Sequence, residues 1–377
     1  MPQLCRFSLP LAGLLVLAAL PAAARDWVVA ADGSGDYRSV QAAIDAVPDG
    51  NRTRQVIVLR EGLYRGVVKV PKEKSRVTLR GAGAGASILS WNNYADLVDP
   101  ATGKAMRTSG SATVYVYGDE FIAEDLTIEN TAGNVGQALA LYAAPPRGGF
   151  RNVRLLGNQD TLYTHEGSVL HFKDCYIEGT VDFIFGAATA LFDDCTIVSK
   201  GKLGWVTAAS TPEGQRFGYV FRRALLRGEG VGTAYLGRPW RPFARTVFLQ
   251  SDLGPHIVQA GWHNWDKPDA ERTTYYGEFG SVGAGASPEE RVAWSHHLSG
   301  DEAAQYTTEA VLGSWRPFPD FAWSGGCACV GCADANLSGL KRLYSAPVLP
   351  QVRFSESSTG STTKHPIGAG SGRAGQS

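Results

Sequence analysis

A short motif recurs through the middle of this chain and narrows the folds open to it. Phe121-Ile122-Ala123-Glu124-Asp125-Leu126-Thr127-Ile128 is echoed by Phe150-Arg151-Asn152-Val153-Arg154-Leu155. Phe172-Lys173-Asp174-Cys175-Tyr176-Ile177 and Phe192-Asp193-Asp194-Cys195-Thr196-Ile197 follow, with a weaker copy in Val220-Phe221-Arg222-Arg223-Ala224-Leu225. The clear copies begin at 121, 150, 172 and 192, in steps of 29, 22 and 20. A unit of that length with one obvious strand cannot bury its own apolar face, so successive units must stack as coils. The predicted class is all-β, a parallel β-helix. A β-propeller needs longer units of four strands each. An α/β fold needs helical stretches between the strands, and none are legible here.

The flanks fit the same picture. Asp26 to Ala30 reads as a short strand. Ser39 precedes Val40, Ile44 and Val47 at helical spacing, and Pro48 stops the run. This short amphipathic helix is placed to cap the N-terminal end of the solenoid, because an open end would expose core. Strand-like runs follow at Gln55 to Leu59, Val67 to Val70, Arg76 to Leu79 and Thr113 to Tyr117. The 45 glycines in 377 residues suit a fold made of many tight turns. The 36 basic residues equal the 36 acidic ones, which argues against a nucleic-acid partner.

Both ends read as separate from the coils. Arg6, the apolar stretch Leu9 to Leu20 and Ala22-Ala23-Ala24 have the form of a cleaved signal peptide, residues 1–24. The stretch is too short for a membrane span. The expected location is therefore secreted or periplasmic, with no membrane contact after cleavage. The folded domain is expected over residues 25–323. Residues 324–377 read as a Gly/Ser-rich disordered tail holding Cys327, Cys329 and Cys332, for which the sequence offers no role.

The repeat sets a register. Asp160 lies ten residues after Phe150, and Asp182 ten after Phe172. Equivalent positions on adjacent coils stack about 5 Å apart. Two carboxylates that close resist joint ionisation, so one holds a proton while the other stays charged. Such a pair costs stability unless it is used. Tyr163, Phe185 and Trp205 each fall thirteen after their coil's Phe, which predicts an aromatic ladder, either in the core or lining a sugar groove. Cys175 and Cys195 share an offset of three and are expected to form a disulfide, with two buried free thiols as the alternative.

Stacked carboxylates alone leave the chemistry open. A retaining glycosidase also places two carboxylates about 5 Å apart. A calcium-dependent lyase would need a richer acidic cluster than the pair. An inert carbohydrate-binding solenoid would need neither aspartate. The seven histidines show no ligand spacing, and His296-His297 sits in a polar stretch read as solvated. No metal or other cofactor is expected.

Further segments, in order, carry a resemblance. They include Gly62-Leu63-Tyr64, Ser111-Ala112-Thr113, Gln137-Ala138-Leu139-Ala140-Leu141-Tyr142, Gln159-Asp160-Thr161-Leu162-Tyr163 and Asp182-Phe183-Ile184-Phe185-Gly186. Leu236-Gly237-Arg238-Pro239-Trp240, Gly261-Trp262-His263-Asn264-Trp265, Tyr276-Gly277-Glu278-Phe279 and Gly283-Ala284-Gly285-Ala286 come next. From Trp27 to Trp323 the chain resembles the pectin methylesterase (pectinesterase) family. The resemblance implies a right-handed β-helix and hydrolysis of methyl esters in pectin, a methyl-esterified galacturonan, by a monomer. It implies Asp182 as nucleophile, Asp160 as acid and base, and Gln137 and Gln159 as oxyanion donors. Arg238 would hold Asp182, and Trp240 would contact the sugar. Tyr142, Tyr163 and Phe185 would line the sugar groove beside it. The family's disulfide matches Cys175 and Cys195. Asn158 stands where the family often has Tyr, and Arg316 interrupts the usual Trp-Leu-Pro; neither is part of the implied chemistry. The tail after Trp323 has no counterpart in the resemblance.

Overall fold

The computed structural model describes residues 26–318. The segments read as a signal peptide and as a tail, with its three cysteines, lie outside the described residues.

Parallel strands wind into stacked coils. A 7-stranded parallel sheet runs from Val68–Val70 through Val114–Val116, Leu141–Ala143, Leu162–Thr164, Val181–Gly186 and Gly204–Ala209 to Ala234–Pro239. A 17-stranded sheet folds around the rest of the solenoid, and its named strand pairs are also parallel. The fold is thus the expected parallel β-helix. Helix Val40–Ala46 is N-capped by Ser39, whose side chain accepts from the Ala42 N–H. It buries Val40, Ala43 and Ile44 against the first strands, as the spacing of its apolar residues requires.

The core is a column of aromatic rings. Phe150 stacks on Phe172 at 4.6 Å, Phe172 on Phe192 at 4.7 Å, and Phe192 on Phe221 at 4.4 Å. Phe221 stacks in turn on Phe248 at 4.4 Å. All are fully buried. The ring spacing follows the strand spacing, because in-register parallel strands superpose like side chains. The first copy of the motif is an exception. Phe150 faces Ala123, while Phe121 faces Gly148, so that copy is displaced by two residues from the column.

Six successive coils turn a corner at a left-handed residue two positions after the column. These residues are Asp125, Asn152, Asp174, Asp194, Arg223 and Gln250, with φ between 50° and 57°. Asp and Asn take this conformation more readily than other residues with a Cβ, which accounts for their recurrence at the motif's third place.

The disulfide expectation is corrected. Cys175 and Cys195 do sit on adjacent coils, but as buried free thiols. Cys175 Sγ donates to the Phe150 carbonyl at 3.3 Å, and Cys195 Sγ to the Asp193 carbonyl at 3.3 Å. Equivalent positions of in-register parallel strands point their Cβ atoms the same way, about 4.8 Å apart. A disulfide favours a closer Cβ pair, near 3.8 Å.

Candidate active site

The outward face of the 7-stranded sheet carries one continuous row. Register pairs Lys69 with Tyr115, Tyr115 with Tyr142, Tyr142 with Tyr163, Tyr163 with Phe185, Phe185 with Ala208 and Ala208 with Arg238. Alternation along each strand puts these side chains outside and their neighbours in the core. Tyr142 and Tyr163 lie 4.7 Å apart, and Tyr163 and Phe185 5.1 Å apart. They form the floor of a cleft rather than part of the core. The expected place of Trp205 in this row is corrected: Ala208 takes it, and Trp205 pairs with Val181 instead.

That displacement comes from a bulge. Val181 faces Trp205, but Ile184 faces Thr207, so the Asp182 strand carries one extra residue between them. Asp182 sits in the bulge with φ 51°, and Asp160 is left-handed too, at 65°. Bulges re-aim side chains and increase local twist. Asp160 and Asp182 each lie two residues before a paired position, Leu162 opposite Ile184, and the Asp160 N–H donates to the Val181 carbonyl at 3.1 Å. The shared offset read from the sequence therefore places both carboxylates side by side.

They have different partners. Arg238 donates to Asp182 through Nε and Nη2, each bond 2.8 Å long. The Asp160 carboxyl has no hydrogen-bond partner among the described residues, although only 7% of that residue is exposed. Burial pushes Asp160 up to about 8, and the neighbouring Asp182 charge adds to the rise. Burial raises Asp182 as well, but the Arg238 bonds and charge, with the Lys267 charge, oppose it. Arg238 thus favours the ionised form of Asp182, while burial and the Asp182 charge favour the protonated form of Asp160.

These two line a cleft of about 460 Å³ with Gln137, Gln159, Tyr142, Tyr163, Phe185, Arg238 and Trp240. All nine residues given a catalytic or sugar-binding role in the sequence meet there. Neither the Gln137 nor the Gln159 side-chain amide is engaged by another described residue, so both are available to a ligand. The cleft wall also includes Arg107, Thr108, Ser109 and Trp265, to which the sequence reading gave no role. Arg107, Thr108 and Ser109 belong to the short helix Arg107–Gly110 and Trp265 to a turn, all outside the repeat, where periodicity carries no signal. His296 and His297 are exposed and away from the cleft, as read.

A parallel β-helix with an aromatic-floored cleft and a split carboxylate pair defines a carbohydrate-active solenoid enzyme. Comparison with known proteins narrows this. The Pectinesterase family description matches residues 26–314. Pectinesterase 31 of Arabidopsis thaliana is 45% identical over 301 residues, covering 78% of this chain and 93% of that protein. The carrot (Daucus carota) pectinesterase is 38% identical, covering 79% of this chain and 97% of its own. The solved pectin methylesterase from carrot superposes with a TM-score of 0.72 at 37% identity, over 78% of this chain and 96% of that one. A pectin methylesterase solved in complex with hexasaccharide VII superposes at 0.69 with 29% identity, over 78% and 98%. This chain belongs to the pectinesterase family, whose members are carboxylic ester hydrolases.

Proposed function

We propose that this protein removes methyl groups from methyl-esterified galacturonan, with Asp182 as nucleophile and Asp160 as general acid and base. The observation that carries this reading is the asymmetry of the pair: two charged donors on Asp182 and none on Asp160. The ionised Asp182 attacks the ester carbonyl carbon. Charge develops on the carbonyl oxygen, where the amide N–H groups of Gln137 and Gln159 can donate; one such donor is worth roughly 3 kcal/mol. As the C–O bond to the methoxy group breaks, Asp160 passes its proton to that oxygen and methanol leaves. An acyl group now joins Asp182 to the sugar. Asp160, now a carboxylate, takes a proton from water as the water oxygen attacks the acyl carbon. Asp182 departs ionised and Asp160 is protonated again. The new galacturonic acid releases its proton to solvent.

Tyr142, Tyr163, Phe185 and Trp240 offer ring faces to the sugars. The hexasaccharide complex of a structural neighbour supports a pectin oligosaccharide as the ligand class. Residues 1–24 would export the protein, as a monomer, to where pectin lies. Incubation with highly methylated pectin tests the reading: methanol should appear without new reducing or unsaturated ends. New reducing ends without methanol would contradict it.

A further inference from the structure

Arg238 is gripped on both faces. Its guanidinium carbon lies 3.7 Å from the ring centroid of Trp205 and 3.7 Å from that of Trp265. Two indoles that near one planar group cannot share a face, so they enclose it. We propose that Trp205 and Trp265 are positioning residues that aim Arg238 at Asp182 and so keep the nucleophile ionised and oriented. The inference rests on the reading of Asp182 as nucleophile.

Both rings are fixed from outside the cleft. Trp205 pairs with Val181, the residue before Asp182. It is stacked on Tyr235 at 6.0 Å with an interplanar angle of 7°, and His263 meets it edge-on at 6.0 Å. Trp265 sits in a tight loop with φ 59°, followed by Asp266 at 53°. Left-handed backbone is unusual for so bulky a residue. The Trp265 N–H donates to His263 Nδ1 at 2.8 Å. Lys267 lies 4.3 Å over the same indole and donates to the Pro239 and Trp240 carbonyls, each at 3.2 Å. The loop is thereby pinned to the strand that carries Arg238.

A guanidinium donates only in its own plane. With aromatic rings over both faces, water is excluded there and the fork keeps one orientation. A guanidinium between rings also gains cation–π attraction, stronger where solvent is absent. Removing one wall would let Arg238 swing and would weaken both bonds to Asp182. Asp160, Tyr235, Arg241, His263, Lys267 and Tyr276 also face this arrangement, so a readout specific to Arg238 is needed.

Trp205 is the cleaner probe, because Trp265 also lines the cleft and Trp205 does not. The test compares Trp205→Leu and Trp205→Phe in the full chain by methanol release and by NMR of the Arg238 Nε–H, the latter identified from its loss in Arg238→Gln. For Trp205→Leu, kcat should fall about tenfold with little change in KM. The acidic limb of the pH–rate profile should move to higher pH, and the Nε–H signal should broaden into solvent exchange. Trp205→Phe should keep most of each property. Should Trp205→Leu fail to fold, Trp265→Leu carries the same NMR comparison. An unmoved acidic limb with a sharp Nε–H signal in the leucine variant would overturn the inference. A wild-type protein that releases no methanol would instead overturn the ester-hydrolase reading, while the NMR comparison would still decide what the tryptophans hold.

Discussion

Arg238 and Asp182 meet fork to fork, through two hydrogen bonds of 2.8 Å each, from strands separated by one intervening strand. Ala208 holds the place between Phe185 and Arg238 in the outer row. Its methyl group leaves a lane through which the long arginine reaches back to the bulge at Asp182. This contact sets Asp182 apart from Asp160, whose carboxyl has no such donor among the described residues.

Arg238→Lys should not rescue what Arg238→Gln loses. A lysine is a single point charge and cannot span both carboxylate oxygens. Without the fork, Asp182 ionises at higher pH, so the acidic limb of kcat/KM should move upward in both variants. Activity at neutral pH should drop by about 10²-fold or more, the scale of a lost charge-assisted pair. A pH–rate profile of methanol release checks this.

Asp160→Asn should be nearly inactive yet more stable. The amide cannot supply or take the proton, a loss of about 10² to 10⁴ in rate. Asp160 is raised from 3.8 to about 8 in the fold. Between those values the unfolded chain ionises this group while the folded chain keeps it protonated, so stability is lost as pH rises. Removing the group should recover roughly 3 to 4 kcal/mol at pH 7. The gain should grow with pH from about 4 to 8 in urea titrations, and a gain that stays flat would contradict the protonated Asp160.

His256 should set part of the acid sensitivity. It is fully buried, and neither ring nitrogen has a partner among the described residues. Burial lowers it to about 4. Its unfolded value is near 6.5, so the unfolded state takes up the proton first and stability falls from about pH 6.5 down to 4. The loss should be about 3 kcal/mol across that range. His256→Leu should flatten this part of the stability curve in denaturation series at fixed pH values.

Phe172→Ala should cost about 3 to 5 kcal/mol, because it removes a ring stacked on both sides and leaves a cavity. Phe121→Ala should cost less, since Phe121 stands out of the column and meets Phe150 at a tilt, 5.9 Å away. The midpoint shift in urea unfolding measures both.

Much of this was legible because a solenoid converts sequence offset into spatial stacking. The offset of ten from Phe150 and Phe172 placed Asp160 beside Asp182, and the same count gave the Tyr163–Phe185 pair. The count failed where the chain departs from regular coils. Ala123 occupies the column position before Phe150, so similarity of residue type pointed to Phe121 instead. The extra residue at Asp182 broke the count beyond it and sent Trp205 to Val181. That same bulge holds Asp182, the proposed nucleophile, so the irregularity falls at the site itself. The corner residues Asn152, Asp174 and Asp194 stood in the motif unread, because their conformation rather than their chemistry explains them. The enclosure of Arg238 by Trp205 and Trp265 joins separate coils and a loop, and no spacing rule announces it. The cysteines share the offset that suggested a bond, but stacking points their Cβ atoms the same way at the strand spacing, wider than a disulfide favours.

The most direct test is a titration of the two carboxyl carbons by ¹³C NMR, with Asp160→Asn and Asp182→Asn providing the assignments. The account predicts that Asp160 stays protonated until the pH nears 8 while Asp182 ionises well before it. If Asp160 ionises first and Asp182 holds the proton at neutral pH, the roles given to the two aspartates are wrong.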